Sequence, residues 1–468
     1  MGQNWGVSKL SSQPLSPLDG RYQSQVAPLS EFLSEAGLNR ARVQVEIEWL
    51  IFLVQEDPLE LQKALSETEL KALRSIYQEF SDAEVARIKE FEATTRHDVK
   101  AVEYFIRERL AELGREDLSE LVHFACTSED INNLAYAITV RDAFDEVWIP
   151  ALKNLVEKLK GLATSLAESA MLSRTHGQPA TPTTMGKELA VFVHRLGRQL
   201  TRIDAQPLLG KFSGATGTFA AHVAAAPNAD WPALSEKFLT SLEITFNPLT
   251  TQIESHDWQS ELFQKVVHIN TILHNLCTDI WTYISLNYFK QIPVKGATGS
   301  STMPHKVNPI RFENAEANLE LSTAVLGSLA QTLITSRLQR DLTDSSAQRN
   351  IGVGVGHSLL AMDNITKGLD EIAINEAVLL ADLMENWEVL GEAIQTAIRA
   401  DVARGLSKIE DPYALLKELT RGKRIGQEEL LAFVSKLDLP QETKDRLMKL
   451  KPQTYTGVAA ELVKRLDN

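Results

Sequence analysis

The chain has 468 residues, 44% of them hydrophobic, and a formal net charge of -14 at pH 7. A chain of this length can bury a large core and is expected to form more than one domain. The acidic balance argues against nucleic acid as a partner, which would need a basic face, and no apolar run reaches the length that spans a membrane.

Three helical domains are predicted along the chain, and we expect an all-α fold. The first domain covers residues 1–115 and ends at the polar stretch 112–117, which contains a glycine. A central bundle of long helices follows over residues 116–365. Residues 366–468 form the last domain, which is small, charged and interrupted by glycine and proline. Alternating β-branched or aromatic runs, which would indicate strands, are nearly absent from the sequence.

The central bundle is predicted from apolar residues that recur at steps of three and four. No proline or glycine stands between Pro248 and Pro293, which predicts one helix of roughly 35 to 40 residues, about 50 to 60 Å long. Such a helix belongs in a bundle or between subunits. The apolar positions are Leu152, Leu155, Leu159, Leu162, Leu166, Leu189, Val193, Leu196, Leu200, Ile203, Leu262, Val266, Ile269, Leu273, Leu276, Ile280, Ile284, Leu326, Leu329 and Leu333.

Residues 293–309 are predicted to form a mobile loop. Three prolines, Pro293, Pro304 and Pro309, exclude a continuous helix, and two glycines add backbone freedom. The overlapping segment 299–313 combines adjacent hydroxyls with cationic side chains. From composition alone, a solvated surface loop is the simpler interpretation.

Several blocks of sequence together resemble one known family. Segment 299–313, Gly-Ser-Ser-Thr-Met-Pro-His-Lys-Val-Asn-Pro-Ile-Arg-Phe-Glu, is similar to the signature loop of the fumarase/aspartase superfamily, whose members release fumarate from substituted succinates. Segment 173–182 resembles the stretch that carries the catalytic histidine in the adenylosuccinate lyase branch. Further matching blocks, in the order of this branch, are 17–22, 95–99, 123–130, 251–254 and 336–345. The resemblance covers nearly the whole chain and is closest to the longer bacterial type.

Eliminating an amine beside a carboxylate needs a base for the proton on carbon, an acid for the leaving nitrogen and positive charge for the enediolate. By resemblance Ser300 is the base and Ser301 the second choice, although serines in such a loop are otherwise turn formers. His176 is the acid, because an imidazole titrates near neutral pH; a lone histidine is otherwise a hydrogen-bonded surface or core group. The resemblance implies that Glu313 pairs with this histidine. The alternative is an ordinary glutamate in the first turn of the helix after Pro309.

The implied substrate is strongly anionic, since two carboxylates and a phosphate carry roughly four negative charges near neutral pH. The cations that match the family's substrate ligands are Arg21, Lys306, Arg340 and Arg349. Lys306 is expected to face the carboxylate that becomes the enediolate. The polar residues carried over as substrate contacts are Tyr22, His97, Asp98, Thr127, Ser128, Gln252, Asn308 and Ser345. Taken singly, each cation would be a solvated surface charge, and Asp98 could be a helix cap.

A few positions depart from the family pattern. Arg96 stands where many bacterial relatives have Asn, so no chemistry is assigned to it. Lys295 and the pair 297–298 replace the acidic and aliphatic residues often found before the double serine. The stretch 214–217 resembles a family turn near the site, or else its glycines only permit tight backbone packing.

No metal and no organic cofactor is expected. The HExxH, CxxC and P-loop patterns are missing, and segment 352–356, Gly-Val-Gly-Val-Gly, lacks the third glycine of a dinucleotide fingerprint and lies in a helical context. Cys126 and Cys277 stand in no metal-binding or redox spacing. Free thiols and the absence of an apolar secretory signal at the start lead us to expect a cytoplasmic protein.

Assembly follows from the expected placement of the acid and the base. His176 is expected at the head of one bundle helix and Ser300 beyond the end of another, so different subunits bring them together more easily than one chain does. The resemblance implies the same, because the central bundles of this superfamily form a tetrameric core. We therefore expect a homotetramer with sites shared between subunits.

One function and two alternatives result. The chain is expected to cleave adenylosuccinate to AMP and fumarate, and SAICAR, the succinylaminoimidazole carboxamide ribotide, to AICAR and fumarate, in purine nucleotide biosynthesis. The first alternative is another lyase of the superfamily: argininosuccinate lyase, aspartase or fumarase. The second is an inactive helical structural protein on the same scaffold. The match of several blocks disfavours the first, and intact His176, Ser300 and Lys306 argue against the second.

Overall fold

The computed structural model describes residues 13–293, 303, 306–420 and 425–467. Helices dominate this part of the chain, which confirms the expected all-α class. The helices are α1 (Gln23–Leu33), α2 (Glu35–Glu56), α3 (Glu67–Gln78), α4 (Asp82–Thr95), α5 (Asp98–Glu112), α6 (Ser128–Ala143), α7 (Ile149–Ser165), α8 (Met185–Asp204), α9 (Ala220–Ala225), α10 (Trp231–Ser241), α11 (Asp257–Ser285), α12 (Ile310–Thr332), α13 (Thr343–Gln348), α14 (Ile351–Asp370), α15 (Glu376–Met384), α16 (Gly391–Ala403), α17 (Pro412–Thr420), α18 (Gln427–Lys436), α19 (Gln441–Met448) and α20 (Ala459–Val463).

Within the described residues, six short strands pair into three two-stranded sheets. The strands are β1 (Ala170–Thr175), β2 (Gln178–Thr184), β3 (Leu209–Gly210), β4 (Thr245–Phe246), β5 (Phe289–Gln291) and β6 (Ile372–Ile374). β1 pairs with β2 and β5 with β6 in the antiparallel sense, whereas β3 and β4 are parallel. The longest pair, β1 and β2, falls in the block 173–182, where the sequence indicated no strand.

The chain divides into two compact units. Unit 1 comprises residues 1–152, 199–271 and 317–363, and unit 2 comprises residues 153–198, 272–316 and 364–468. The division into three domains that was predicted from the sequence stays a prediction.

The core of unit 1 is built around aromatic side chains. Trp49 on α2 is fully buried, and its ring centroid lies 4.4 Å from that of Phe212 and 5.0 Å from that of Phe238. The indole nitrogen donates a hydrogen bond to the carbonyl of Phe124 at 3.1 Å, so the one polar atom of this side chain is satisfied. This core supports the start of α6, where several predicted site residues lie.

The glycines of segment 352–356 are packing positions in α14. A side chain at Gly352 would place its Cβ 2.9 Å from the carbonyl oxygen of Leu33, and one at Gly354 would place it 2.6 Å from a methyl carbon of Leu326. Both distances are too short for a real Cβ. The segment therefore serves close helix packing inside unit 1, and its predicted helical context is confirmed.

Unit 2 has its own apolar core around the C-terminal helices. The buried side chains of this core include Trp387, Ile394, Ile398, Leu430 and Val434. The β1–β2 hairpin of the same unit contacts α15. This hairpin carries His176 at its tip.

The predicted helix between Pro248 and Pro293 is shorter than expected. α11 has 29 residues, which at 1.5 Å per residue span about 44 Å. His256, immediately before the helix, and Asn287, two residues after it, adopt left-handed φ values of 60°. A left-handed residue breaks the helical hydrogen-bond ladder, so the helix stops without proline or glycine. The predicted apolar stripe is confirmed from Leu262 to Ile280, since each of its positions in this range is buried.

Candidate active site

The first cluster of predicted site residues in unit 1 is centred on Asp98. Its carboxylate accepts hydrogen bonds from Arg42 at 2.8 Å and from Arg349 at 3.1 Å. Arg42 is 1% exposed, and Arg349 also pairs with Glu35 at 2.6 Å. Burial acts to raise the pKa of Asp98, but the charge of Arg42, a backbone amide and Arg349 together hold it below its usual value. Asp98 is therefore an ionised anchor that orients Arg349.

His97, rather than Asp98, caps helix α5. Its Nδ1 accepts a hydrogen bond from the backbone amide of Lys100 at 3.2 Å, and its side chain is 52% exposed.

Arg21 and Tyr22 precede α1, and the guanidinium carbon of the arginine lies 5.8 Å from the centroid of the tyrosine ring. A stacked cation of this kind is held on the aromatic face without losing its hydrogen-bond donors.

A cavity of about 370 Å³ in unit 1 is lined by Arg349 and by the segment that leads into α1. Ser16, Asp19 and Glu35 supply polar groups to its wall, and Leu18 supplies an apolar one. Of the residues predicted from the sequence, Arg349 alone belongs to this lining within the described part of the chain. Its guanidinium group thus borders both the cavity and the Asp98 cluster.

The second cluster of unit 1 is centred on Arg340. One terminal nitrogen donates to Glu129 at 2.7 Å and the other donates to the side-chain oxygen of Gln252 at 3.2 Å. Burial raises the pKa of Glu129, and the charge of Arg340 opposes this. Nε of Arg340 is buried and has no hydrogen-bond partner among the described residues. Gln252 is held in turn by the carbonyl of Ala215, to which it donates at 3.1 Å.

Thr127 and Ser128 lie half-buried at the start of α6. The backbone amide of Thr127 donates to the carboxylate of Asp130 at 2.8 Å, and that carboxylate also accepts the amide of Ser213 at 2.9 Å. Ser345 lies half-buried in α13, where its amide donates to Asp344 at 2.6 Å. The backbone amide of Thr127 is thus taken up by Asp130, and the substrate-contact role predicted for Thr127 and Ser128 stays a prediction.

The turn at 214–217 brings two backbone segments close together. Gly214 and Gly217 have φ values of 79° and 76°, and a Cβ at Gly217 would lie 2.2 Å from the carbonyl oxygen of Thr250. Glycine at 217 is therefore required for packing against the segment that carries Gln252, which agrees with the packing interpretation of this stretch.

In unit 2, His176 lies at the tip of the β1–β2 hairpin. His176 and Gly177 form the two-residue turn and have φ values of 53° and 73°, both left-handed, between the paired residues Thr175 and Gln178. The expectation that His176 begins a bundle helix was wrong, since α8 starts at residue 185. Its side chain is exposed, and no hydrogen bond to it is present in the described structure.

The other predicted residues of unit 2 surround the start of α12. Lys306 is exposed and Asn308 half-buried, and neither belongs to a helix or strand. Glu313 lies in the first turn of α12, and its carboxylate accepts a hydrogen bond from the indole nitrogen of Trp281 at 3.2 Å. The predicted pairing of Glu313 with His176 is not formed within residues 306–420 and 13–293 of one chain. Ser300 and Ser301, with most of the predicted loop, lie outside the described residues.

The structure brings together some of the predicted residues and adds buried ones that the sequence did not single out. It pairs Asp98 with Arg349 and Gln252 with Arg340. The added residues are Arg42, Glu129, Asp130, Lys211 and His256. Two of these residues, Glu129 and Asp130, stand in the block 123–130 that resembles the family, and this was the sequence signal that could have identified them. They were not singled out because acidic residues at the start of a helix are stabilised by the helix dipole and usually need no charged partner.

The described residues contain no group of three or more histidine, cysteine or acidic side chains that could hold a metal ion. Cys126 and Cys277 are free thiols, as expected. None of the described helices is long and apolar enough to cross a membrane.

Comparison with known proteins identifies two matching family models. Residues 20–327 match a model described as lyase, and residues 336–456 match one described as adenylosuccinate lyase C-terminal. The chain is 50% identical over 454 residues to adenylosuccinate lyase of Haemophilus influenzae, covering 97% of this chain and 98% of that protein. It is 49% identical over 453 residues to adenylosuccinate lyase of Escherichia coli K12, with the same coverage.

Solved structures with the same fold are more distant in sequence. A fumarate lyase from Mesorhizobium sp. BNC1 superposes with a TM-score of 0.74 at 17% identity, covering 94% of this chain and 97% of that chain. The 3-carboxy-cis,cis-muconate lactonizing enzyme from Pseudomonas putida superposes with a TM-score of 0.71 at 21% identity, covering 94% of this chain and 96% of that chain. These two likenesses show the fold, which is the predicted fumarase/aspartase-like one.

Proposed function

The chain belongs to the adenylosuccinate lyase family, and from this premise we propose that it cleaves adenylosuccinate to AMP and fumarate, and SAICAR to AICAR and fumarate. The observation that carries the proposal is the 50% identity that extends over 97% of the chain. The setting is purine nucleotide biosynthesis in the cytoplasm. The other fumarate-releasing lyases of the superfamily are not favoured, because the family model matched at residues 336–456 is described as adenylosuccinate lyase C-terminal.

In this proposal the reaction is a β-elimination. A base removes the proton from the carbon beside a carboxylate, the carbon–nitrogen bond breaks, and an acid protonates the leaving nitrogen. His176 is the acid. Its exposure at the tip of a short hairpin supports this role, because a ring without a hydrogen-bond partner among the described residues is available to a substrate. Ser300 is the base, with Ser301 beside it, and Lys306 neutralises the charge that develops on the carboxylate.

Arg340 and Arg349 bind anionic groups of the substrate. Both guanidinium groups are already oriented by carboxylates, Arg340 by Glu129 and Arg349 by Asp98, so little side-chain freedom is lost when substrate binds. The buried Nε of Arg340 still lacks an acceptor among the described residues. Polar contacts to the substrate come from Tyr22, His97, Asp98, Thr127, Ser128, Gln252, Asn308 and Ser345, and Arg21 adds a further cation.

The active form is a homotetramer whose sites are shared between subunits. Large apolar side chains on the long helices support association: Val191 is 42% exposed, Trp281 43% and Leu321 50%. Glu313 hydrogen-bonds Trp281 within its own chain. Glu313 and His176 are not paired within the described part of one chain, so in this proposal a second subunit completes the predicted pair.

A substrate panel tests the assignment. Purified protein is offered adenylosuccinate, SAICAR, argininosuccinate, aspartate and malate in parallel, and the fumarate released from each is measured. We expect fumarate from the first two. Release from argininosuccinate, aspartate or malate alone would assign the chain to a different lyase, and no release from any of the five would favour an inactive protein.

A further inference from the structure

A cluster of three polar side chains in unit 2 holds the hairpin that carries His176. Arg174 stands on β1, two residues before the histidine. One of its terminal nitrogens donates to the hydroxyl of Tyr288 at 2.7 Å, and the other donates to the carboxylate of Asp382 at 2.6 Å. The Tyr288 hydroxyl in turn donates to the same carboxylate oxygen of Asp382. The three groups thus form a closed triangle of hydrogen bonds, which we call the hairpin clamp.

The tyrosine is the buried member of the clamp. Tyr288 as a residue is 1% exposed, whereas the side chain of Arg174 is 27% exposed and that of Asp382 is 22% exposed. Burial raises the pKa of Tyr288 to about 12, and the hydrogen bond to Asp382 adds to this, so the phenol stays neutral and can donate and accept at once. Both terminal nitrogens of Arg174 donate to protein oxygens, so the arginine ties β1 to Tyr288 and Asp382.

Tyr288 and Asp382, which accept the hydrogen bonds of Arg174, are themselves held by neighbouring strands and helices. Tyr288 directly precedes β5, and its carbonyl accepts the amide of Asn375, which precedes α15, at 2.8 Å. Asp382 lies on α15 itself. Next to it, Leu383 packs in a buried apolar cluster with Leu172 of β1. β1 is therefore attached to α15 by an ion pair and an apolar contact at neighbouring positions of both elements.

The tip of the hairpin needs such support. A two-residue turn with both residues left-handed is the type I′ turn, which favours asparagine followed by glycine. His176 occupies the position that asparagine prefers, and a left-handed conformation is unfavourable for a residue with a Cβ. The local sequence therefore does not by itself hold the imidazole in place. Its position depends on how the two strands are anchored.

We infer that Arg174 and Asp382 are positioning residues that hold His176 in its catalytic geometry. This inference rests on the proposed function, in which His176 is the acid. The clamp touches no reacting atom and exchanges no proton with the substrate. Its effect is geometric: Arg174 lies about 7 Å along the strand from His176, and a shift of about 1 Å in a catalytic group can cost about a hundredfold in rate.

The experiment uses the full-length protein and compares single variants with a charge swap. Arg174→Leu and Asp382→Asn should each lower kcat about 10- to 100-fold and change KM less than about threefold, because the substrate-binding cations are untouched. The double variant Arg174→Asp with Asp382→Arg restores an ion pair of opposite direction, and it should recover part of the lost kcat. Lys158→Leu is the control, since it breaks an ion pair of the same unit that joins α7 to Asp370 at the end of α14 and involves no hairpin residue. Its kcat should equal that of the wild type.

His176→Asn separates failure of this inference from failure of the proposed function. Asparagine suits the turn, so the hairpin is kept while the acid is lost, and turnover should fall about a hundredfold or more. Full turnover in His176→Asn would show that His176 is not the acid, and the inference that the clamp positions an acid would then fail as well. An inactive His176→Asn together with wild-type kcat in both single clamp variants would overturn the clamp alone.

Melting temperature and the pH dependence of kcat distinguish positioning from simple stabilisation. We expect the single variants to melt within a few degrees of the wild type and to shift the pH profile of kcat, since the environment of the imidazole changes. A loss of kcat that follows the loss of folded protein, with an unchanged pH profile, would mean that the clamp only stabilises the fold. If the charge swap recovers the melting temperature but not kcat, the clamp likewise only stabilises the fold.

Discussion

Lys211 and Asp130 form an ion pair in unit 1 with a distance of 2.9 Å between Nζ and Oδ1, and both side chains are fully buried. Nζ of Lys211 also donates to the carbonyls of Gly214 at 2.9 Å and Gln252 at 2.8 Å. The carboxylate of Asp130 accepts three backbone amides besides the lysine. Every polar atom of the pair thus has a partner, and the pair joins the start of α6 to the segment that carries Gln252.

Removing the lysine should destabilise the fold strongly. We expect Lys211→Met to lower the free energy of unfolding by about 3 to 5 kcal/mol, because it leaves a buried carboxylate without its counter-charge. Urea denaturation followed by circular dichroism measures this. The control is Lys237→Met, which removes a lysine that is 62% exposed in its ion pair with Glu56 and should cost less than about 1 kcal/mol. If Lys211→Met and Lys237→Met lower the free energy of unfolding equally, burial of the ion pair is not the cause of the loss.

Arg340→Met should impair substrate turnover, and because it also leaves the buried Glu129 without its partner, its free energy of unfolding is measured alongside. The variant removes a guanidinium group that we propose binds an anionic group of the substrate, so kcat/KM should fall about a hundredfold. Arg337→Met is the matched control, because Arg337 lies three residues earlier and is 81% exposed. Steady-state kinetics on adenylosuccinate compare the two variants. A similar kcat/KM for both would remove Arg340 from the site.

The acid and the base should each be essential. His176→Ala and Ser300→Ala are expected to lower turnover about a hundredfold or more while the fold stays intact. Circular dichroism checks the fold, and fumarate release measures turnover. A variant that keeps the wild-type rate does not carry the role assigned to its residue.

Mixing these two inactive variants tests whether subunits share sites. If different chains supply His176 and Ser300, subunit exchange creates sites with both residues intact, about one in four when equal amounts mix at random. Activity should therefore return to about a quarter of the wild-type value. Light scattering that shows a monomer, or no recovery after demonstrated exchange, would reject shared sites but not the lyase activity.

His222 should make stability depend on pH. It is fully buried, its ring centroid lies 4.9 Å from that of Trp231, and neither ring nitrogen has a partner among the described residues. Burial lowers its pKa from 6.5 to about 4. Between these values the unfolded chain binds a proton that the folded chain does not, so stability falls as pH drops from 6.5 to 4. The loss should reach about 3 kcal/mol.

The contribution of His222 can be isolated by substitution. His222→Phe keeps an aromatic ring beside Trp231, and the phenylalanine cannot be protonated. The free energy of unfolding, measured at several pH values between 4 and 7, should therefore vary less in His222→Phe than in the wild type. Identical pH dependence in both proteins would show that other groups cause the acid sensitivity.

Activity should not depend on a metal ion. The elimination as proposed uses His176, Ser300 and cationic side chains, so exhaustive chelation should leave kcat and KM unchanged. Dialysis against a strong chelator, followed by assay in metal-free buffer, measures this. Loss of activity that a divalent ion restores would contradict the metal-free mechanism.

The helical fold was predictable because it depends on local pattern. Leu262, Val266 and Ile269 recur at helical spacing, and each is buried in the structure. The ends of α11 were less predictable. His256 and Asn287 stop the helix by adopting left-handed backbone conformations that their residue types do not require, and tertiary contacts decide whether such a conformation is held.

The hairpin of His176 illustrates the same limit of local pattern. β2 contains Pro179 and Pro182, and proline is disfavoured within sheets, so the sequence indicated no strand. The hairpin forms because its two strands pair with each other and because Leu172 and Arg174 anchor β1 to α15. Asp382 on α15, which accepts a hydrogen bond from Arg174, is 208 positions from it in the chain.

The helical class, the buried stripes and the types of side chain available for chemistry follow from the sequence alone, because periodicity and motif are local properties. Which charges are paired depends on contacts between distant parts of the chain. Glu129 and Arg340 are 211 residues apart and yet lie 2.7 Å from each other. A charge is stable away from water only when a distant segment supplies its partner, and local pattern shows which side of a helix a residue occupies but not what faces it.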